Sequence, residues 1–272
     1  MVEKNSGEWD LPPAISGIYS GIQQVGHDFT SALCELLDNA ITAQANQIDI
    51  KINLSHDNKV KAYILDNGNG MDEENLKKAL TVGGTSTKGS KDSLGKFGFG
   101  LKTASTSQSV KTTIISNKEN KNYIQVILDM DIITKENKAT HPWTNDPENM
   151  APDYLSMLEE NYGPGTLIVW EDCKTFSEGP DGKKLENKDI KRSITKQIKD
   201  KIKPAVSLNY GKLIKENGIT FKINNEEIES WDPFYKKLIN HENEELKTIQ
   251  RVLEEKQLRI MDVNKGTSLD LE

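Results

Sequence analysis

Apolar residues alternate strictly over Ile48, Ile50, Ile52 and Leu54, the two-residue period of a strand with one buried face. Just upstream the period changes. Leu33, Leu36, Leu37, Ala40 and Ile41 recur at helical spacing and predict a helix through "CELLDNAITA". "HDNK" (His56 to Lys59) has the composition of a hairpin turn, and "VKAYILD" (Val60 to Asp66) predicts the returning strand. "DEENLKKAL" (Asp72 to Leu80) predicts a helix with acids in its first turn and lysines towards its end, matched to the helix dipole. A long run of small residues, Thr81 to Gly100, leads into a further helix from Leu101. Strands are expected at Val110–Ser116, Tyr123–Met130 and Thr166–Glu171, with a helix over Pro152–Gly163 before the last of them.

The two ends of the chain are patterned differently. The first thirty residues read as an irregular arm anchored by Ile15, Ile18, Tyr19 and Ile22. Near Ser177 the composition turns polar and rich in turn residues, "SEGPDGKKLENKD", which predicts a boundary between a unit at 1–176 and another at 177–272. Beyond it, "IKRSITKQIKDKIKPAV" predicts a lysine-rich amphipathic helix stopped near Pro204. "ITFKINNEEIESWDPF" then predicts a strand, a turn at Asn224-Asn225 and a second short strand. The abrupt end at "SLDLE" leads us to expect a longer natural chain.

Composition narrows the class. The chain has 272 residues, long enough for one large or two ordinary domains, and a charged fraction of 28% that implies a well-charged surface. Thirty-five Lys and Arg against 42 Asp and Glu give a net charge of −7, which argues against a nonspecific polyanion binder. Two cysteines, Cys34 and Cys173, make neither a disulfide framework nor a zinc site, and the four histidines show no metal spacing. With no leader at Met1 and no apolar run of membrane-spanning length, the expected setting is the cytoplasm, with no membrane partner.

Candidate chemistry begins on the first predicted helix. Glu35, Asp38, Asn39 and Thr42 share one stripe, with no lysine or arginine among them. Taken alone, such a stripe reads as a solvated face. "DNGNGM" (Asp66 to Met71) follows a strand; Gly68 and Gly70 allow tight turns, and Asp66 can accept a hydrogen bond from an exocyclic amine. It is not a calcium loop, because the twelfth position is Lys77 and not Glu. "GKFGFGLKTAS" (Gly95 to Ser105) offers unshielded backbone N–H groups running into a helix N-terminus, with Lys96 and Lys102 as cations, as phosphate binding requires. Its spacing fits neither a Walker A loop nor a dinucleotide fingerprint. "GPGT" (Gly163 to Thr166) opens a late strand and carries little information by itself.

In this order, the four segments resemble the motifs of the GHKL ATPases, the superfamily of gyrase B subunits, heat-shock chaperones, sensor histidine kinases and MutL proteins. The resemblance covers roughly residues 15–175. "GLKTAS" and the following "VW" strand look most like microrchidia (MORC) proteins and their bacterial relatives. It implies an α/β two-layer sandwich, a mixed sheet with helices on one face, followed by part of a second, transducer-like α/β domain. It implies ATP and Mg²⁺ as ligands, Glu35 as the general base for the attacking water, and Asn39 as the metal-holding amide. It implies that Asp66 reads the adenine amine with Thr166 assisting, that Gly68, Gly70 and Met71 shape that pocket, and that Gly95, Phe97, Gly98, Gly100 and Leu101 offer amides to the phosphates with Lys102 adding charge. The expected function is ATP hydrolysis driving a lid-closure and homodimerisation switch, a slow clamp. Its DNA or protein client would be reached through regions outside this chain. The alternative is a nucleotide-binding module whose partner supplies the missing catalytic piece.

Overall fold

The computed structural model describes residues 14–24, 28–81, 100–118, 122–137, 141–160, 163–179 and 182–231. Among the described residues the strands are β1 (Gln47–Leu54), β2 (Val60–Asp66), β3 (Lys111–Asn117), β4 (Tyr123–Asp129), β5 (Trp143–Thr144), β6 (Gly165–Glu171), β7 (Thr220–Ile223) and β8 (Glu226–Glu227), with burial alternating along β1 and β7 and nearly continuous along β3 and β6. They form one eight-stranded sheet in the order β5-β4-β3-β6-β2-β1-β7-β8. Every neighbouring pair is antiparallel except β1 and β7, which run parallel, so the sheet is mixed. The expected hairpin joins β1 to β2: Asn58 takes φ 58°, and the Ser55 N–H donates to Lys59 O at 2.9 Å. An asparagine tolerates that left-handed geometry, which a branched side chain would resist.

The helices are α1 (Ile15–Gln24), α2 (Phe29–Thr42), α3 (Glu73–Leu80), α4 (Gly100–Gln108), α5 (Met130–Glu136), α6 (Pro152–Glu159), α7 (Lys174–Ser177), α8 (Asn187–Gln197), α9 (Lys203–Asn209) and α10 (Gly211–Asn217). Leu33, Leu36 and Leu37 of α2 are buried against Ile48, Ile50 and Ile52 of β1 and Val60, Ala62 and Ile64 of β2 in one core. Each such leucine contributes about 1.5–3 kcal/mol by leaving water. Phe29, at the start of α2, packs edge-on against Trp170 and Phe176, with ring centroids 5.5 and 4.7 Å away. The Trp170 indole N–H donates to Ser105 Oγ at 3.0 Å, which ties α4 to β6 and satisfies a polar group deep in the core.

Several expectations need correction. The arm is not irregular at Ile15–Gln24: α1 is a helix, with Tyr19 buried beside Met130 and Ile133. The Ser16 N–H donates to Asn137 Oδ1 at 2.8 Å, and Tyr19 Oη lies 3.3 Å from His141 Nε2, so α1 docks on its own chain. The helix expected to reach Gly163 ends at Glu159. It also lies on the sheet face opposite the main helix layer, where Tyr154 and Leu158 join Leu65, Ile115, Leu167 and Val169 in a second, smaller core. Helices therefore cover both faces, though unequally. The short elements α5, α7 and β5 were not legible in the pattern.

Pro204 does not stop the lysine-rich helix. A π turn at Ile198–Ile202 joins α8 to α9, with the Lys203 N–H reaching back five residues to Ile198 O. Pro204 lacks an N–H, so the ladder must loosen around it. The wider turn has a second effect. Ile190, Ile194, Ile198, Ile202, Val206 and Tyr210 stand at every fourth position, and all are buried. In a regular α-helix a four-residue step overshoots by roughly 40°. The wide turn takes up part of that drift and keeps the stripe on the core. Ile190 to Ile228 share the core of α2, β1 and β2, and β7 extends the same sheet. Among the described residues, the composition break at Ser177 is not marked by a second sheet or a second core around residues 187–228.

Candidate active site

At one end of the candidate site, the central strands build a floor. β2 ends at Asp66, whose register partner on β6 is Thr166; Ser116 on β3 also pairs with Thr166. Three side chains from three strands thus meet at one level. The Gly68 N–H donates to Asp66 Oδ1 at 2.8 Å. Burial raises the Asp66 carboxyl to about 6, against the opposing hydrogen bonds from the Gly68 and Thr166 backbone. Ser116 Oγ accepts from the Met71 N–H at 2.7 Å, donates to Gly165 O at 3.1 Å and lies 2.8 Å from Thr166 Oγ1.

The DNGNG loop is bolted down on both sides. Asn67 Oδ1 accepts from the Asn46 and Gln47 N–H groups at 3.0 and 2.9 Å, and the Asn69 N–H donates to Ala43 O, just past α2, at 2.7 Å. Gly70 takes φ 61°, and a Cβ there would sit 2.0 Å from Asn117 O. Only glycine fits both the dihedral and the space.

At the other end, the helix layer carries the charged groups. Asp28 caps α2, its Oδ1 accepting from the Ser31 N–H at 2.7 Å. One face of that helix then presents Glu35 and Asp38, half-buried, and Asn39, exposed. Gly100 opens α4 directly against this face: a Cβ on it would lie 2.7 Å from Glu35 Oε2. A side chain is missing where the carboxylate needs to sit, and Glu35 thereby meets the first turn of the glycine-led helix. Among the described residues neither Glu35 nor Asp38 joins an ion pair.

The predicted residues therefore fall into two groups and a remainder. Asp66, Gly68, Gly70, Met71 and Thr166 lie together on the floor, and Glu35, Asn39, Gly100 and Leu101 lie at α2 and the start of α4. Gly95, Phe97 and Gly98, like Lys96, lie outside the described residues. Lys102 is fully buried, and its ammonium donates to the Thr81 carbonyl at the end of α3. Burial holds its pKa below the usual lysine range. Sequence reasoning missed Ser116 and Asn117. The one hint was a polar residue closing the apolar run "TTIIS"; only cross-strand register places it beside Thr166. An apolar cavity of about 490 Å³ between α1, α3, β4 and β5 includes none of Glu35, Asn39 or Asp66 among its lining residues.

Glu35 lies beside the cradle at Gly100, and Asn39, one helical turn on, has a side-chain oxygen of the hard type that suits Mg²⁺. The buried acceptor at Asp66 suits a purine amine.

Parts of the chain resemble known proteins. Residues 27–156 match the family model described as "Histidine kinase-, DNA gyrase B-, and HSP90-like ATPase". Protein MICRORCHIDIA 1 of Arabidopsis thaliana is 38% identical over 77 residues, 27% of this chain and 12% of that protein. Protein MICRORCHIDIA 2 of the same plant is 40% identical over 78 residues, again 27% of this chain and 12% of the relative. The matched stretch thus spans about an eighth of the length of these relatives. A solved structure titled as the N terminal domain of a DNA repair protein aligns with 77% of this chain and 51% of its own, at TM-score 0.44 and 21% identity. No described helix is long and apolar enough to cross a membrane. The acidic-amide helix, the DNGNG loop and the start of α4 all fall inside residues 27–156, and this stretch is similar to the histidine kinase-, DNA gyrase B- and HSP90-like ATPases, with a partial likeness of the chain to the MICRORCHIDIA proteins.

Proposed function

We propose that this chain binds Mg-ATP between the strand floor and the helix layer and hydrolyses it, Glu35 acting as general base. The observation that carries the proposal is Gly100: its missing side chain lets the Glu35 carboxylate reach the N-terminal turn of α4. A helix N-terminus attracts phosphate through its free N–H groups and dipole, so a carboxylate beside it is placed to order a water against the terminal phosphate. Glu35 takes the proton of that water as the phosphorus–oxygen bond to the leaving ADP breaks. Asn39 would hold the Mg²⁺, which when bound neutralises phosphate charge. Asp66 accepts from the adenine amine, and the Ser116–Thr166 hydroxyl pair fixes the wall beside it.

Lid closure on ATP, ATP-dependent pairing of two copies and a clamp on DNA or a protein client complete the proposal. Residues 177–272 would serve as the transducer-like part that relays the nucleotide state. The test is steady-state phosphate release and ATP binding, with Mg²⁺, by the parent and Glu35→Ala. Binding by both, with release falling about 10²–10⁴-fold in Glu35→Ala, is the expected result. Binding by both with no release from either makes the chain a nucleotide sensor that needs a partner. Failure of the folded parent to bind contradicts the proposal.

A further inference from the structure

The α2 turn that carries Glu35 and Asn39 is gripped from outside the family-matched stretch. Tyr210 lies at the junction of α9 and α10, is buried, and stacks on Phe221 of β7 with ring centroids 5.1 Å apart. Its hydroxyl lies 2.8 Å from Asp38 Oδ1 and 3.1 Å from Cys34 O. The neighbouring Asn209 Nδ2 reaches Cys34 Sγ at 3.8 Å. These contacts bracket the site groups in sequence: Cys34 precedes Glu35, and Asp38 precedes Asn39.

We infer that Tyr210 is a positioning residue, whose bond to Asp38 fixes the α2 turn in the orientation that presents Asn39 to the metal and Glu35 to the water. The inference rests on the roles given to Glu35 and Asn39 above. The geometry favours it over simple packing because packing is already supplied by the ring. The stack on Phe221 and the apolar stripe ending at Tyr210 anchor the segment without the hydroxyl. The hydroxyl adds direction, since a phenol donating to a carboxylate fixes the Asp38 rotamer and the rotation of α2 about its axis. Asp38 then serves as the acceptor for the residues after Ser177. The same link would carry movement of the turn, when nucleotide binds, into α9 and β7.

Tyr210→Phe separates the two roles, because it keeps the stack and removes only the hydroxyl. ATP affinity would be measured by calorimetry with Mg²⁺ and with EDTA, beside melting temperature and phosphate release. The expected result is a loss of about 10-fold or more in affinity with Mg²⁺, the scale seen when a partner of a metal-holding group is removed. Affinity in EDTA should stay within about twofold, because the floor around Asp66 is untouched, and turnover should fall in step with Mg²⁺ binding. Asp38→Ala tests the same bond from α2 and should match Tyr210→Phe, with the double variant no worse than either single change. Asp38→Asn keeps an acceptor oxygen and should recover most of the lost affinity. If Tyr210→Phe and Asp38→Ala bind Mg-ATP like the parent, the positioning role is wrong while the nucleotide site stands. If the folded parent shows no Mg²⁺-dependent binding, the underlying reading fails as well.

Discussion

The floor at Asp66 and the helix face at Glu35 are built by opposite means. Asp66, Ser116 and Thr166 sit on adjacent strands, buried and bonded to one another or to backbone, and Gly70 is wedged against Asn117. Glu35 and Asn39 stand on a single helix, half-buried and exposed, held from one side by Tyr210 through Asp38 and by close approach to Gly100. A sheet can fix a base-reading group without moving parts. Under the proposed function the helix face is the end that must admit a metal, a water and a departing phosphate, which open groups steered by packing allow. Binding and turnover should then be separable by mutation.

The largest effect should fall on turnover. Glu35→Gln keeps the side-chain shape and removes the base, so phosphate release should fall about 10²–10⁴-fold with ATP affinity changed little. Equal loss of affinity would erase the distinction between the two ends. Next comes Gly70→Ala. A Cβ 2.0 Å from Asn117 O at φ 61° forces the loop to move, with an expected loss of about 3 kcal/mol in unfolding free energy by denaturant titration. ATP binding should be lost together with it.

Asp66→Asn should split stability from function. Burial puts the folded-state pKa of Asp66 near 6 against an ordinary 3.8, so the folded chain retains a proton that the unfolded chain has released between those values. The stability contributed is complete below about 3.8 and is lost as pH rises through about 6. At pH 8 the parent therefore holds an ionised carboxyl that burial disfavours. The asparagine chain should be more stable there by ~2 kcal/mol, with that pH dependence gone, measured by denaturant titration across pH 4 to 8. ATP affinity should nonetheless fall about 10–100-fold, because the amide is a weaker acceptor for the adenine amine. In the parent, affinity should weaken as pH drops below about 6 and Asp66 takes up its proton. The smallest effect belongs to Asp28→Ala, which removes the α2 cap and should lower stability by about 1 kcal/mol with modest change in binding.

Much of this was legible because the motifs are local. Alternation at Ile48–Leu54 and Val60–Asp66 gave the central hairpin, and the glycines of DNGNG stand where φ and close approach demand them. What escaped depends on contacts distant in sequence. Ile15, Ile18, Tyr19 and Ile22 have helical spacing, but Gly17 and Gly21 each weaken a helix by about 1 kcal/mol, and docking beside Met130 and Ile133 offsets that. Ser116 acquires its place only through pairing with β6. Tyr210 reaches Asp38 at the end of an apolar stripe that continues through a π turn and past Pro204, a proline read as a stop. The composition break at Ser177 is real, yet the apolar stripe behind it feeds the same core.

The most direct test is calorimetric titration of Mg-ATP into the parent, Asp66→Asn and Glu35→Gln side by side. Two ends of one site predict that Asp66→Asn loses most of its affinity while Glu35→Gln binds like the parent. Equal binding by all three, or none by the folded parent, would show that Asp66 and Glu35 do not belong to one nucleotide site.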